Sequence, residues 1–599
     1  MMEPNELIRY VGGQAANTDY HDGQLRPVVG THNYQILRAN RTRPELADDW
    51  GWTYNHAPML AHWNGKFHLI YLSNPKSEHV PPGHTLLTTS EDGVRWAKPK
   101  VVFPAIPIPA GVYQNPSAPE LPPDSYAVMH QRMGFYEAPN GKLLVLGFYG
   151  ICPTYRVHPN DGNGMGRVVR EIDREGNWGP VYFLRYNLHA GWNETNTGFP
   201  YYRMSEDPAF IEACEALLSD RLVTMQWWEE DRSPDGFYRI AGGKAPSTYR
   251  LPDGRVIALF KSSKAAVTED EGKTWSKLQD VPSFIMAGAK VWGQQTGDGK
   301  YALVYNPTPT GKYRWPLAIV TSEDGVRFDQ MAAIHGEVSP MRYSGHYKDY
   351  GPQYIRGIEA GNRTPTGRDM WLTYSVNKED IWVSRVPVPV KLLVEQPVQD
   401  TFDDLPAGGY VEGWNIYSCQ WAQVTIEPFP SADNKSLRLH NMDPYDYCKA
   451  VRVFPESRKV CIQFKLLAAQ SANGSLQIEV CDYKGTFPLR LILDADGWIK
   501  AQHGGLHKVM AYCPDTWYEI RLDIDTVRQK YELIIGDFRK TFGFFAPVLT
   551  VERLVLRTGA YRKEPNMDSP LDFDDLHGAD DPVEEAVFYI QYVKTSMHE

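Results

Sequence analysis

The chain has 599 residues, which is too long for one ordinary hydrophobic core and predicts at least two domains. Its formal net charge of −11, without any long basic run, argues against a nucleic-acid partner. No apolar stretch approaches the ~20 residues that span a bilayer, so no membrane partner is expected.

The seven cysteines are odd in number and include no Cys-x-x-Cys pair, which argues against a disulfide framework or a zinc site. We therefore expect no metal and no cofactor. The first ten residues, MMEPNELIRY, lack the basic and apolar regions of a secretion signal. These features predict a cytoplasmic protein, or a secreted one if the sequence is truncated, and they leave its oligomeric state open.

One pattern recurs between residues 50 and 388: an apolar run, a turn usually marked by Asn-Gly or Asp-Gly, and a second apolar run. The copies begin at His56, Arg132, Ser247, Ala289 and, in a longer version, Tyr350. Asn-Gly or Asp-Gly between alternating apolar runs is the strongest short hairpin signal. Five such hairpins predict a repeated antiparallel unit rather than one large sheet.

A second motif follows three of these hairpins. TEDEGKTW, at Thr268–Trp275, fits the Asp-box pattern Ser/Thr-x-Asp-x-Gly-x-Thr-Trp. TSEDGVRW at Thr89–Trp96 and TSEDGVRF at Thr321–Phe328 fit it with Glu at the Asp position, and EIDREGNW at Glu171–Trp178 is a decayed copy. The acid and the hydroxyl of the box stabilise a tight turn in which Gly takes a positive φ. Three copies predict a β-propeller.

The predicted fold class is all-β: a six-bladed propeller, with seven blades as the alternative, followed by a β-sandwich of the jelly-roll type. We assign the sixth blade to Arg221–Trp228, after a helical insertion at Pro208–Leu218. A Pro-rich stretch then predicts a linker, and short alternating strands without helices predict the sandwich. The predicted boundaries are 1–390 for the propeller, 391–400 for the linker and 401–599 for a concanavalin- or laminin-G-like sandwich.

The ligand site of a propeller lies over its central axis, on loops next to the innermost strands. Polar side chains just before the predicted innermost strands are therefore the candidates. We predict catalytic roles for His56, Tyr136 and His32. The predicted substrate-binding residues are Arg132, Arg156, Lys244, His346, Tyr350 and Arg356, and Tyr354 lies in the same segment as the last three.

This set is rich in His, Tyr, Arg and Lys and poor in carboxylates, which suits the cleavage of a sugar linked to a uronic acid. Removal of the C5 proton of a uronate needs a cation on the carboxylate, a His or Tyr as base, and a second such group as acid. A glycosidase would use two carboxylates instead. The best such group is Glu229, Glu230 and Asp231, which otherwise forms a solvated turn.

The Tyr54-Asn-His-x-Pro segment, the Asp boxes and WGPVYFLRYN at Trp178–Asn187 resemble a group within the sialidase-like propellers. Its members act on L-rhamnose-α-1,4-D-glucuronate ends and are described as α-L-rhamnosidases and as rhamnose–glucuronate lyases. The resemblance covers roughly residues 30 to 390 and implies that His56 is essential. Arg132, Tyr136 and Arg156 are assigned by blade position only.

The main hypothesis is therefore an enzyme that cleaves a terminal linkage at a uronic acid in an oligosaccharide substrate, by hydrolysis or by elimination. One alternative is an exo-sialidase or another glycoside hydrolase with paired carboxylates, and another is a non-catalytic glycan-binding propeller. True sialidases share the Asp boxes and also carry Arg-Ile-Pro, an arginine triad and a Tyr–Glu nucleophile pair. The nearest match to Arg-Ile-Pro here is Arg41–Pro44, which lacks the expected strand context.

Overall fold

The structure is a computed structural model that describes residues 6–113, 120–130, 134–159, 162–227, 240, 242–358, 368–560, 562 and 574–597. Strands dominate both parts of the chain. No helix within these ranges is long and apolar enough to cross a membrane.

The first part of the chain consists almost entirely of short strands, with two α-helices between the eleventh and twelfth. The strands are Arg9–Tyr10 (β1), His32–Leu37 (β2), Tyr54–Trp63 (β3), Lys66–Asn74 (β4), His84–Ser90 (β5), Lys100–Phe103 (β6), Val128–Met129 (β7), Gly134–Glu137 (β8), Leu143–Gly150 (β9), Gly164–Ile172 (β10), Tyr182–Tyr186 (β11), Ser247–Arg250 (β12), Val256–Phe260 (β13), Lys264–Thr268 (β14), Gln279–Asp280 (β15), Trp292–Gln295 (β16), Tyr301–Tyr305 (β17), Leu317–Ser322 (β18), Arg327–His335 (β19), Pro352–Gly357 (β20), Met370–Val376 (β21) and Asp380–Val386 (β22). The helices are Pro208–Ser219 (α1) and Arg221–Trp227 (α2), and short 3₁₀ turns cover His21–Gln24, Pro44–Leu46, Leu188–Ala190 and Tyr202–Met204.

These strands form antiparallel sheets in chain order, as in a propeller. Four blades stand alone within the described residues: β3–β6, β7–β11, β12–β15 and β16–β19, the last with β1 added in parallel. A fifth group pairs in the order β20-β21-β22-β2 and continues into the C-terminal sandwich. The structure confirms the five predicted hairpins, but the predicted number of six or seven blades is wrong.

The first hairpin shows why local sequence predicted these pairs. Asn64 and Gly65 connect β3 to β4 with φ values of 50° and 76°, and Trp63 pairs with Lys66 across the turn. Two consecutive positive φ values match the twist of the flanking strands, and Asn-Gly adopts them readily.

The segment predicted as the sixth blade is a helix instead. Residues 221–227 form α2, whose Trp227 packs edge-on against Tyr136 of β8 with ring centroids 6.0 Å apart. Helix α1 buries Phe210 and Leu217 in the same cluster. The two helices thus pack onto the second blade, next to β12 of the third.

The Asp-box turns are present, but two of them lie one residue later than predicted. Asp270 accepts hydrogen bonds from the Thr274 amide and hydroxyl, at 2.8 and 2.7 Å, as the motif requires. In the other two copies, the hydroxyl that bonds to the acid belongs to a serine: the pairs are Ser90–Asp92 and Ser322–Asp324. The predicted hydroxyl–acid pairs were Thr89–Glu91 and Thr321–Glu323. The serine accepts from the glycine amide, and the aspartate accepts from the next two amides.

The C-terminal part is a sandwich of two antiparallel sheets. Its strands are Gln399–Thr401 (β23), Trp414–Ser418 (β24), Ala422–Ser431 (β25), Asn434–Asn441 (β26), Lys449–Ser457 (β27), Lys459–Ala468 (β28), Leu476–Cys481 (β29), Leu489–Leu493 (β30), Trp498–Gln502 (β31), Leu506–Ala511 (β32), Thr516–Asp525 (β33), Lys530–Ile535 (β34), Phe538–Gly543 (β35), Val551–Arg557 (β36) and Ala586–Met597 (β37). One sheet follows the order β25-β26-β37-β28-β33-β34-β35, with β23 beside β37. The other continues the last blade as β2-β24-β27-β36-β29-β30-β31-β32.

The junction between the two parts is a continuous sheet with a buried core. Strand β2 pairs antiparallel with β22 of the propeller and parallel with β24 of the sandwich. Trp382 stacks on Tyr417 across the junction at 4.9 Å, and the buried Arg38 side chain pairs with Asp443 at 2.7 Å. The boundaries at 390 and 401 remain predictions, but the two parts share one sheet.

Candidate active site

The first strands of the five sheets lie side by side around the propeller axis: β3 contacts β8 and β20, β20 contacts β16, and β16 contacts β12. Tyr354 lies within β20 and is buried. Its φ of 60° is rare for a residue other than glycine. Backbone strain of this kind is concentrated at functional sites.

Four cationic side chains surround Tyr354. Lys261 Nζ donates a hydrogen bond of 2.7 Å to the Tyr354 hydroxyl oxygen. Lys290, Arg314 and Lys378 place their charged groups 5.2, 5.5 and 6.0 Å from the centre of the Tyr354 ring. These four residues, called the cation cage below, come from loops of the third, fourth and fifth sheets and therefore converge only in the folded chain.

Two carboxylates balance the cage in part. Lys378 Nζ lies 3.1 Å from Glu78 Oε2 and 3.1 Å from Asp349 Oδ2, and Arg314 lies 3.1 Å from the same Asp349 oxygen. Burial raises the pKa of the Glu78 carboxyl, but Lys378, His79 and His56 together outweigh this and hold that pKa well below its usual range. Within the described residues, four cations and two carboxylates line this centre, and converging lysine and arginine side chains favour an anionic ligand.

His56 lies against Tyr354, with ring centroids 4.3 Å apart. Its Nδ1 is hydrogen-bonded to Ser375 Oγ at 2.7 Å, and its Nε2 has no hydrogen-bond partner in the part of the chain that the structure describes. Burial, with the nearby charge of Lys378, lowers the pKa of His56 well below its usual value. The imidazole is therefore neutral at pH 7 and can accept a proton but not donate one as an acid.

Tyr54 closes the cluster on the Glu78 side. Its ring lies edge-on to that of His56 at 5.8 Å, and Lys378 Nζ lies 5.9 Å from the Tyr54 ring centre. Burial and the negative charge of Glu78 raise the pKa of the Tyr54 hydroxyl well above its usual range. Tyr54 thus remains a phenol beside a carboxylate at neutral pH.

The other predicted substrate-binding residues lie around this centre or at the surface. Lys244 and Arg156 are exposed, and Arg156 Nε donates to the Tyr155 hydroxyl at 2.9 Å. His346 is exposed and stacks on Tyr155 at 4.2 Å.

Two predicted residues of the last blade are buried. Tyr350 stacks on Tyr313 at 5.5 Å, and Arg356, two residues after Tyr354, donates to the Pro246 carbonyl at 3.3 Å. Arg132 and the Glu229–Asp231 group lie outside the described residues.

The structure separates two of the predicted catalytic residues from His56. His32 is on β2 at the junction with the sandwich, where Nε2 contacts the Val411 carbonyl at 3.1 Å and Nδ1 contacts the Tyr34 hydroxyl at 2.6 Å. Tyr136 packs against Trp227 of the helical insertion. The structure does not bring these three residues together, because β2 is the outermost strand of its blade and Tyr136 faces α2.

Sequence analysis missed most of the cage because it considered only residues that precede an innermost strand. Lys261, Lys378 and Glu78 instead follow the second strand of a blade, after β13, β21 and β4. In an antiparallel sheet, the end of the second strand lies beside the start of the first. A lysine or glutamate just after the second run of each hairpin was the available signal.

A surface groove of about 1060 Å³ beside the linker is the main rival as a ligand site. Two of its arginines are already paired with carboxylates: Arg385 with Asp369 and Arg452 with Asp400, both at 2.6 Å. Because these charges neutralise each other, the cation cage is the better candidate.

Comparisons with known families place this site in context. The model for the N-terminal β-propeller of BT_1020-like proteins matches residues 6–244, a BNR repeat-like domain matches 197–353, and a sialidase-like CBM domain matches 414–573. A solved structure named "Sialidase" is 43% identical, with a TM-score of 0.94 over 99% of this chain. The chain is a sialidase-like BNR-repeat β-propeller with a CBM-like C-terminal domain.

This sialidase-like chain spans about half of that solved structure, 54% of its length. More distant similarities include a Trypanosoma rangeli sialidase bound to 2,3-difluorosialic acid, at 11% identity and TM-score 0.36, covering 95% of this chain and 96% of the other. A xylan β-1,4-xylosidase from Bacillus halodurans C-125 matches at 11% identity and TM-score 0.33, covering 97% and 100%. These two values are too low to inform function. No curated protein matches, and none of these similar proteins is named as a rhamnosidase or a lyase.

Proposed function

We propose that the sialidase-like propeller is a glycoside hydrolase that releases a sugar bearing a carboxylate, of the sialic-acid type, from a glycan. The convergence of the four cation-cage side chains on the buried Tyr354 carries this proposal. A solved relative that is named "Sialidase" and is 43% identical supports it, as does the likeness of the C-terminal domain to carbohydrate-binding modules.

The cage supplies the binding step. Lysine and arginine form charge-assisted hydrogen bonds to carboxylates, which are about twice as strong as neutral ones. Lys261 and Lys290 approach Tyr354 from two different sheets, so a carboxylate held between them lies beside the Tyr354 hydroxyl. Burial of these cations lowers the effective dielectric and strengthens their attraction for the anion.

The catalytic step uses Tyr354 as nucleophile and His56 as base. With the Nδ1 proton of His56 bonded to Ser375, the Nε2 lone pair accepts the phenol proton as the Tyr354 oxygen attacks the anomeric carbon. The bond from that carbon to the aglycone oxygen breaks, and the aglycone oxygen takes up the proton from His56. Water then attacks the anomeric carbon, which releases the sugar and returns a proton to the Tyr354 oxygen. Glu78 and Asp349 orient Lys378 and Arg314 through the 3.1 Å ion pairs. The elimination hypothesis would instead use His56 to remove a carbon-bound proton.

Substitution Tyr354→Phe is expected to lower kcat by about 10³-fold while the acid sugar still binds, because the ring remains and only the nucleophilic oxygen is lost. The measurement is release of a chromogenic sialoside, with product binding followed by calorimetry. Tyr592→Phe, a sandwich residue whose hydroxyl bonds Glu519, is the matched control and should keep full activity. With a uronic-acid-linked oligosaccharide as substrate, accumulation of a 4,5-unsaturated uronate, detected by its ultraviolet absorbance, would show elimination and contradict the hydrolase.

Substitution Lys261→Met is expected to weaken binding of the free acid sugar by about 10- to 100-fold, since it removes one charge-assisted hydrogen bond donor. The methyl ester of the same sugar should bind the variant and the parent protein within a few-fold of each other. Lys264→Met is the control, because Lys264 pairs with Asp280 on the surface of the same blade. Equal weakening of acid and ester would mean that Lys261 acts through the shape of the site and not through its charge.

A further inference from the structure

A second cluster of reactive side chains lies beside the cation cage. Glu78 and His79 are consecutive in the loop between β4 and β5, and His130 directly follows β7. One ligand atom from each of the three lies within 4.8 Å of the other two. Both histidines are 3% exposed.

His79 contacts both other members of the His–Glu cluster, which consists of Glu78, His79 and His130. His79 Nε2 lies 3.3 Å from His130 Nε2 and 3.4 Å from Glu78 Oε1. The φ of His79 is 61°, in the left-handed region that few residues other than glycine adopt. The backbone therefore accepts an unfavourable conformation that aims this ring at the other two ligand atoms.

The two separations from His79 Nε2, 3.3 and 3.4 Å, match the edges of a tetrahedron around a small metal ion. Zinc binds imidazole nitrogen and carboxylate oxygen at about 2.0–2.1 Å, so two ligand atoms of a tetrahedral site lie roughly 3.3 Å apart. The 3.3 Å between the two imidazole nitrogens is long for a hydrogen bond, because N–H donors prefer about 2.9–3.0 Å. Octahedral ions at similar bond lengths would bring adjacent ligands to about 3.0 Å.

We propose that Glu78, His79 and His130 bind a divalent transition-metal ion, with Zn²⁺ as the best fit. Two imidazoles and one carboxylate form the donor set of several catalytic zinc sites, which keep a fourth position for water or substrate. The expectation of no metal rested on cysteine motifs and did not consider histidines from separate loops. This inference does not depend on the hydrolase proposal.

The Glu78 carboxylate connects the proposed metal site to the cation cage through its second oxygen. Oε1 faces His79, while Oε2 accepts from Lys378 Nζ at 3.1 Å. A bound ion would fix the orientation of this carboxylate and add positive charge beside Lys378. It would therefore increase the preference for anionic ligands already set by the cage.

The test is a titration of the full chain, stripped with a chelator, with Zn²⁺ alone. The parent protein is expected to bind one equivalent, and His79→Gln and His130→Gln should each weaken binding by at least ~100-fold, because loss of even an outer partner of a zinc ligand costs 10- to 100-fold. His503→Gln is the matched control, since this exposed histidine contacts only the Gly543 carbonyl and ring neighbours in the sandwich. Thermal melting of each variant reports whether it has folded.

X-ray absorption of the zinc-loaded parent protein provides a readout that needs no variant. Scattering from two imidazole rings at a four-coordinate ion supports the assignment, even if a histidine variant does not fold. A parent protein that binds no Zn²⁺, binds it as weakly as folded His79→Gln, or holds it with fewer than two imidazoles would overturn the proposal.

Discussion

A chain ending at Pro389 is expected to be insoluble or unfolded, although it contains every propeller strand. The cut would remove β24, which pairs with β2, and would expose the Trp382 face that Tyr417 covers. It would also strip Asp443 from the buried Arg38 guanidinium, and loss of one partner from a buried ion pair typically costs 3–5 kcal/mol. An unpaired strand edge beside newly exposed apolar surface favours aggregation.

Soluble expression and cooperative thermal melting measure this result. Insertion of two glycines at the exposed Gly504–Gly505 turn is the control, since it perturbs the sandwich without touching the junction and should leave the melt intact. A fragment 1–389 that is soluble, melts cooperatively and still binds the acid sugar would show that the shared sheet contributes little to the propeller.

The protein is expected to lose stability steeply as pH falls below about 6.5. Among the histidines whose pKa burial lowers, five are almost fully buried: the pKa falls to about 3 for His32 and His84, to about 4 for His68 and His335, and well below its usual value for His56. These rings stay neutral in the folded chain at pH 5, whereas the unfolded chain protonates them near pH 6.5. Their contribution is complete above pH 6.5 and is lost progressively as pH falls toward the folded-state pKa values, down to about pH 3 for His32 and His84.

Two buried carboxyls act in the opposite direction. Burial raises the pKa of Asp48 and Asp380 to about 6, so the folded chain takes up protons there that the unfolded chain does not. Near pH 5, unfolding lets the five histidines take up about five protons and makes the two carboxyls release about two. The net uptake on unfolding is therefore about three protons. The expected slope is then on the order of 4 kcal/mol per pH unit, a large part of the 5–15 kcal/mol total of a typical domain.

Urea unfolding at pH 7, 6 and 5 measures this slope. If His84→Gln folds, the slope of its stability against pH should be smaller by the contribution of about one proton. The reason is that the buried ring is no longer there to be protonated on unfolding. His507→Gln, at an exposed site in the sandwich, should not change it. A stability that is flat between pH 7 and 5 would mean that the buried histidines are already protonated in the folded protein.

The hairpins were predictable because their information is local. Asn64-Gly65 fixes both the turn and the register of β3 and β4. The number of blades was not predictable from local sequence. Residues 221–227 are apolar enough for either a strand or a helix, and only their packing with α1 against the second blade makes them a helix. Likewise Ser90 and Thr89 both offer a hydroxyl to an acid two residues later, and the end of β5 at Ser90 selects the pair.

The candidate site was only half accessible to sequence reasoning. His56 stands at the start of an innermost strand, so its position near the axis followed from the hairpin pattern. The cage depends on Lys261, Lys290 and Arg314 meeting from loops whose convergence is a property of the ring. His32 precedes an apolar run just as His56 does, but its strand joins the blade as the last member and not the first.

The pairing of β2 with β22 also sets when this protein can fold as it is synthesised. His32–Leu37 is made about 340 residues before Asp380–Val386, its partner within the blade. At 5–20 residues per second, the early strand waits roughly 20–70 seconds for that partner, and longer for β24. Through this interval the ring cannot close, so β2 and the first blades depend on chaperones or on their own local pairing to avoid aggregation.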